Sequence, residues 1–332
     1  MPITEIATSV RAALRAGALA LAALGAAPAA AQEAWPTEPV HLVVAYGPGG
    51  VSDIAARLLS EHLEAAFGQR FVVDNKPGAG GTVAAQAVLE GGPEGYYFLN
   101  VGASGTIKRT LLPNQPIDQI GDFEPVSPVA NFGLVVVAAP GSDFTSVQDV
   151  LEFAKSDPGA LNIGTVSVGS TQYLAAKLFA SVAGIEAEVI PFNSSPELMG
   201  AVARGEVDVA FEIMAGAKAA VDAGQVTPIA TTMAQRSRLF PDVPTVEESG
   251  VAPYDVSSWN AYSAPKGIDP AIVERMNAEI QKIIQMPEVE EKLLAVGAEP
   301  YLGTAQDIKD RQDKDTETWR EVIVAAGVPI EG

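Results

Sequence analysis

A chain of 332 residues is long enough for a sizeable core and for two lobes. Its formal net charge of −20 argues against nucleic acid and anionic membrane surfaces, which are held by Lys and Arg, but leaves room for a small anion gripped at short range by backbone dipoles. The absence of cysteine excludes thiol catalysis, disulfides and cysteine metal sites, and argues against a lipid-anchored precursor.

In chain order, Arg11 and Arg15 precede an apolar run from Ala16 to Ala27, and Ala29-Ala30-Ala31 suits small-residue cleavage. This reads as a secretory signal peptide over residues 1–31, with a mature start near Gln32, and hence a protein of the periplasm. Leu42 to Ala45 then reads as a buried strand, and Gly47-Pro48-Gly49-Gly50 as a turn where backbone can approach a ligand. Ser52 and Asp53 are helix-start residues, Ile54, Leu58, Leu59, Leu63 and Phe67 recur at helical spacing, and Gly68 ends the helix. Strand, glycine turn and helix N-terminus together hold an anion on free backbone amides. Loop Tyr46 to Asp53, with Gly49, Gly50, Val51 and Ser52, is therefore a candidate carboxylate site. Asp53 reads as a partner of the helix dipole, with a contact to a ligand ammonium or hydroxyl as the second reading.

Phe71 to Val73 is a second strand, leading to the glycine loop Pro77 to Gly81. After the strand Tyr97 to Val101, Ala103-Ser104-Gly105 offers a further wall of the site, with Ser104 and Gly105 as candidates against a plain loop. Leu134 to Ala138 reads as a strand, Ser146 to Ala154 as a helix and Leu161 to Gly164 as a strand. The polar run that follows supplies Thr165, Ser167, Gly169, Ser170 and Thr171, more hydroxyls and amides than a helix cap requires. A helix from Thr171 ends at Gly184, and a strand from Glu188 to Ile190 precedes Asn193 and Ser194. Ser195 is expected to cap the next helix, which stops at Gly205. Val207 to Phe211 and Val226 to Thr231 are strands, and Pro270 to Gln285, Pro287 to Val296 and Ala305 to Ala326 helices. Such alternation means α/β with largely parallel sheets, where ligands sit at the carboxyl ends of strands.

Five segments in this order resemble one family. They are Trp35 to Val40, Gly47-Pro48-Gly49-Gly50 with Asp53, Asp74 to Gly81, Gly205 to Phe211, and Arg236-Ser237 with Pro241 to Val246. The chain is similar to the Bug or TctC family, the periplasmic solute-binding receptors of tripartite tricarboxylate transporters. The resemblance implies a two-lobed type II periplasmic binding protein fold of Venus-flytrap kind. The crossings between lobes are expected near Phe132 and Ser258, which precede or open the strand patterns Leu134 to Ala138 and Trp259 to Ser263, so that lobe one is 32–132 and 258–332 and lobe two is 133–257. The resemblance also implies a small carboxylate enclosed between the lobes, membrane transporter subunits as partners, and no cofactor. A monomer is expected, since a rigid contact across both lobes opposes closure. Glu212 stands where the family commonly has Asp facing the cleft, and Asn260-Ala261-Tyr262 replaces a more glycine-rich stretch, so the ligand stays open. Trp259 and Tyr46 either stack on a ligand ring or pack.

An exported hydrolase is the enzyme alternative, but only His41 and His62 are present as bases, and no G-x-S-x-G motif occurs. A nucleotide-binding protein lacks its glycine motifs. An orphan receptor feeding a sensor protein is the other binding-protein reading.

Overall fold

The computed structural model describes residues 35–330, so the signal peptide expected at 1–31 lies outside the described residues. Everything below concerns the compact unit that begins at Glu38.

The first arm starts with β1 (Val40–Val44), β2 (Phe71–Asn75) and β3 (Tyr97–Gly102). β1 pairs in parallel with both others, so its Val-rich run is buried on two faces. Helix α1 (Val51–Phe67) follows β1 and ends at Gly68, whose left-handed backbone (φ 69°) turns the chain back. Helix α2 (Thr82–Glu90) precedes β3, and α3 (Ala103–Leu111) follows it directly. Read from sequence as a loop, Ala103-Ser104-Gly105 is the first turn of α3. Its Ser, Gly and Thr residues are weak helix formers, and the helix is held by burying Ala103, Gly105, Thr106 and Ile107.

β4 (Phe123–Ala138) is the spine of the sheet. Only its second half, from Leu134, is evident in sequence, because Pro125 and Pro128 break the strand pattern. They are accommodated where the register of β4 slips against β9 (Ser257–Pro265). Up to Gly133, β4 pairs with β9, which also pairs with β3. From Leu134 it pairs instead with β7 (Val209–Ile213) and β8 (Thr227–Thr231). Beyond β7 lies the second parallel arm, β5 (Leu161–Val166) with β6 (Ala187–Phe192) at the edge. The sheet is therefore two parallel arms joined by an antiparallel centre, rather than largely parallel throughout.

Helices α4 (Val147–Ser156), α5 (Thr171–Ala183), α6 (Ser195–Ala203) and α7 (Met214–Asp222) belong to the second arm. The cap of α6 is Ser194, whose hydroxyl accepts from the Glu197 amide, and not Ser195, which is already inside the first turn. The chain closes with α8 (Pro270–Ile283), α9 (Pro287–Ala295), the two-residue strand β10 (Glu299–Pro300) beside β4, and α10 (Ala305–Ala325). Ile308 of α10 packs with Val43 and Leu99 of the first arm, while Trp319, Val322 and Ile323 pack with Leu134 and Leu161 of the second. One helix thus ties both arms together.

The same helix holds the crossing strand. Arg311 donates to Asp315 (2.8 Å) and to the Ser257 hydroxyl (3.1 Å), and Trp259 Nε1 donates to Asp315 (2.8 Å). Trp259 is fully buried. Among the described residues no helix is long and apolar enough to cross a membrane.

Candidate functional site

The loop between β1 and α1 lies at the carboxyl end of its strand. Gly49 takes a left-handed conformation (φ 86°), and Gly50 is the helix cap with no side chain to occupy the first amides of α1. No side chain caps these amides, as an anion site requires. Tyr46, Gly50, Val51 and Ser52 line a cavity of ≈ 300 Å³ with Phe132, Ile213, Ser258 and Asn260. The wall is mostly apolar with a few directed polar groups, the usual make-up of a small-molecule site. Asn260 Nδ2 donates to Ser52 Oγ at 2.6 Å, a contact between residues 208 positions apart.

Asp53 faces away from this cavity. It is 3 % exposed, and its carboxylate accepts from the Gly49 amide (2.9 Å), Arg57 (3.0 Å) and Asn75 (3.0 Å). Asn75 also donates to the Tyr46 carbonyl at 3.1 Å. The end of β2 thus braces the first glycine loop, with Asp53 as the joint. Burial pushes the Asp53 carboxyl up, but hydrogen bonds from Arg57, Gly49 and Asn75 outweigh it and hold the group below its ordinary value.

The remaining candidates are spread more widely. Tyr46, 44 % exposed, brings its hydroxyl to 3.2 Å from Ser104. Gly105 is buried against Ile120. Gly169 joins Ser104 in lining a neighbouring cavity. Ser167 is held by backbone bonds to Phe192 and Ser170. The Ser170 hydroxyl caps α5 at Tyr173 and donates to the Val166 carbonyl. Thr165 lies within β5, fully buried, and Thr171 is buried in the first turn of α5. Asn193 is engaged with Glu197.

Glu212 is 1 % exposed at the end of β7. Its Oε1 accepts from Gln172 (2.9 Å) and from the Ile213 amide (2.7 Å), while Oε2 makes no hydrogen bond. Burial raises the pKa of this carboxyl against the opposing pull of Gln172, Ser195 and Ile213. Sequence reading missed Gln172, Ile213 and Phe132 as parts of these clusters. The available signal was their place beside strand ends, since apolar and amide side chains carry no motif.

Hydrolytic chemistry finds no support here. His41 sits at the amino end of β1, bonded to Asp74 (2.8 Å) and stacked on Tyr97, while the glycine loop follows the carboxyl end. Among the described residues no group of three or more acidic or histidine side chains is placed to hold a metal.

Solved structures define the class. Rpa4515 of R. palustris, solved with adipate, is 31 % identical, with a TM-score of 0.73 over 88 % of this chain and 98 % of that one. The periplasmic binding protein BugD is 25 % identical, with a TM-score of 0.69 over 89 % of this chain and 99 % of its own. The molecule has the mixed α/β periplasmic binding protein fold.

The tripartite tricarboxylate transporter family receptor description, TctC, matches residues 55–328. BugT of Bordetella pertussis (strain Tohama I) is 29 % identical over 312 residues, 93 % of this chain and 96 % of BugT. The chain belongs to the TctC family of tripartite tricarboxylate transporter receptors, and is a solute-binding receptor rather than an enzyme.

Proposed function

We propose that this receptor captures a small carboxylate on the amides that open α1 and delivers it to the membrane subunits of a tripartite transporter. The observation that carries this reading is the uncapped start of α1 facing the ≈ 300 Å³ cavity, with Ser52 oriented by Asn260. Backbone amides and hydroxyls hold a carboxylate without a local cation, which suits a chain of net charge −20. The adipate carried by a relative at 31 % identity supports the same ligand class.

In this reading residues 32–132 and 258–332 form one lobe and 133–257 the other. The change of partners along β4 at Gly133 and Leu134 supports a boundary there. Ligand favours the closed arrangement through its greater affinity for it. Residues 1–31 direct export to the periplasm and are removed near Ala31, and the mature receptor works as a monomer.

A thermal-shift screen against small carboxylic acids and their amides tests the ligand class. A selective shift with an acid, absent in its amide, is expected; a hundredfold excess over Kd contributes about 2.7 kcal/mol. Equal shifts with acid and amide, or shifts with uncharged compounds alone, would overturn the carboxylate assignment.

A further inference from the structure

Arg236-Ser237 with Pro241 to Val246, one of the five segments that mark the family, lies outside the candidate site. It belongs to a stretch that leaves β8 and returns to it where Thr245 bridges Thr231. At Asn131, β4 is flanked by β9 on one edge, through Trp259, and by β10 on the other, through Glu299. The stretch starts on the β9 edge, where the Thr232 hydroxyl donates to the Val256 carbonyl at 2.6 Å. It then reaches the β10 edge. There Glu299 Oε1 accepts from the Ser237 hydroxyl (2.7 Å) and the Arg238 amide (3.0 Å), and Arg238 pairs with Glu290 of α9. The stretch therefore crosses β4 from edge to edge.

The strand period fixes the face that is crossed. Phe132 and its partner Ser258 line the cavity, so Asn131 and Gly133 point the other way. Met233 lies on that opposite face. Asn131 Nδ2 donates to its sulfur at 3.5 Å, and a Cβ on Gly133 would come to 3.0 Å from its methyl and 2.5 Å from that of Met214. The crossing strand is thus held between the cavity on one face and a strap on the other. Met233 and Phe240 pack with Val135 and Val137, so the strap moves with the second lobe, whereas β10 is paired to Ala130 and Asn131 and moves with the first. Ser237 is 1 % exposed, which commits its hydroxyl to Glu299 rather than to water.

We propose that this strap is a brake on closure, in which Ser237 and Arg238 of the second lobe grip Glu299 and Glu290 of the first on the face of β4 opposite the cavity. The inference rests on the two-lobe reading above and not on the class of ligand. Only Ile213 of the second lobe reaches the cavity wall, which leaves that lobe room to close. Rotation about Gly133 that brings it over the cavity draws the strap away from β10, so the grip belongs to the open arrangement. Ligand must supply enough differential affinity to break it, and the brake thereby sets the apparent affinity from outside the site.

The chain has no cysteine, so a pair of nitroxide labels reads the lobe separation directly. Val83→Cys and Val168→Cys place them at residues 47 % and 55 % exposed, one beside the second glycine loop and the other on the loop after β5. Double electron–electron resonance on ligand-free protein is expected to give the longer, open distance in the labelled parent. Adding Glu299→Ala should raise the ratio of short to long distances by at least about tenfold, the effect of two lost hydrogen bonds to a charged group. Glu299→Gln, which keeps an acceptor oxygen, should lie between the two. Ser237→Ala, which removes one of the bonds, should move the same way by less, and it decides the matter if Glu299→Ala does not fold. Distance distributions that match the parent, or that shift to longer separations, overturn the brake whatever solute the receptor takes.

Discussion

Asp53→Ala should reduce affinity for the bound acid by at least about 100-fold, although its carboxylate faces away from the cavity. The substitution releases the Gly49 amide, leaves Arg57 without its acid and frees Asn75, which also holds the Tyr46 carbonyl. The loop loses the bonds that present its amides to the ligand, and the chain should lose about 2–3 kcal/mol of stability with its charged hydrogen bonds. Titration calorimetry reads the first effect and denaturant unfolding the second. The pH dependence follows from the lowered carboxyl pKa. Stability from Asp53 is fully present above the unfolded value of 3.8 and is lost as pH falls through the folded value. As pH falls below about 4 the wild type should therefore lose more stability than Asp53→Ala. Parallel acid unfolding curves would show that the carboxylate network contributes nothing.

Arg311→Met should be the most destabilising single change near the crossing strands, at about 3–5 kcal/mol. It strands Asp315, which is buried beneath Trp259, and removes the bond to Ser257 at the start of β9. Burial already raises the Asp315 pKa, with Arg311 the main opposing influence. Without Arg311 the carboxyl rises further, so the deficit should be greater at pH 8 than at pH 5, where the acid takes up a proton more readily. Replacing both partners, as Arg311→Met with Asp315→Asn, should recover much of the loss, because no buried charge is left unpaired and the amide oxygen still accepts from Trp259. A single variant as stable as the double one at pH 8 would remove the ion pair from the account of how α10 holds β9.

Much of this architecture is legible in sequence because local signals and tertiary structure agree. The β-branched run of β1, the glycine turn and the Gly68 stop mark strand, loop and helix where the structure has them. The first half of β4 is hidden by Pro125 and Pro128, whose missing amides are tolerated only because the register slips against β9. The start of α3 is hidden by residues that form helix poorly alone and gain it through burial. Within the candidate site, loop 46–52 is readable as an anion cradle from the glycine turn and the helix that follows. Its bracing by Asn75 and the bond from Asn260 to Ser52 depend on long-range placement that no local pattern encodes. Gly50 and Gly169 look equivalent in sequence but differ in space. A Cβ on Gly50 meets nothing closer than the Gly47 carbonyl at 3.9 Å, whereas Gly169 has φ 79° and would bring a Cβ to 2.9 Å from Leu111. Gly169→Val therefore strains the backbone, and Gly50→Val is the cleaner probe.

The most direct measurement is calorimetric titration of wild-type protein and Gly50→Val with the acid that gives the largest thermal shift. The valine side chain projects beside the cavity from an extended backbone with no atom in its way, and because valine caps a helix less well than glycine the cost to stability should be about 1 kcal/mol. Placement of the carboxylate at the start of α1 predicts an affinity loss of at least about 100-fold with the unfolding transition nearly unchanged. Wild-type affinity in Gly50→Val would contradict it and move the ligand away from this loop.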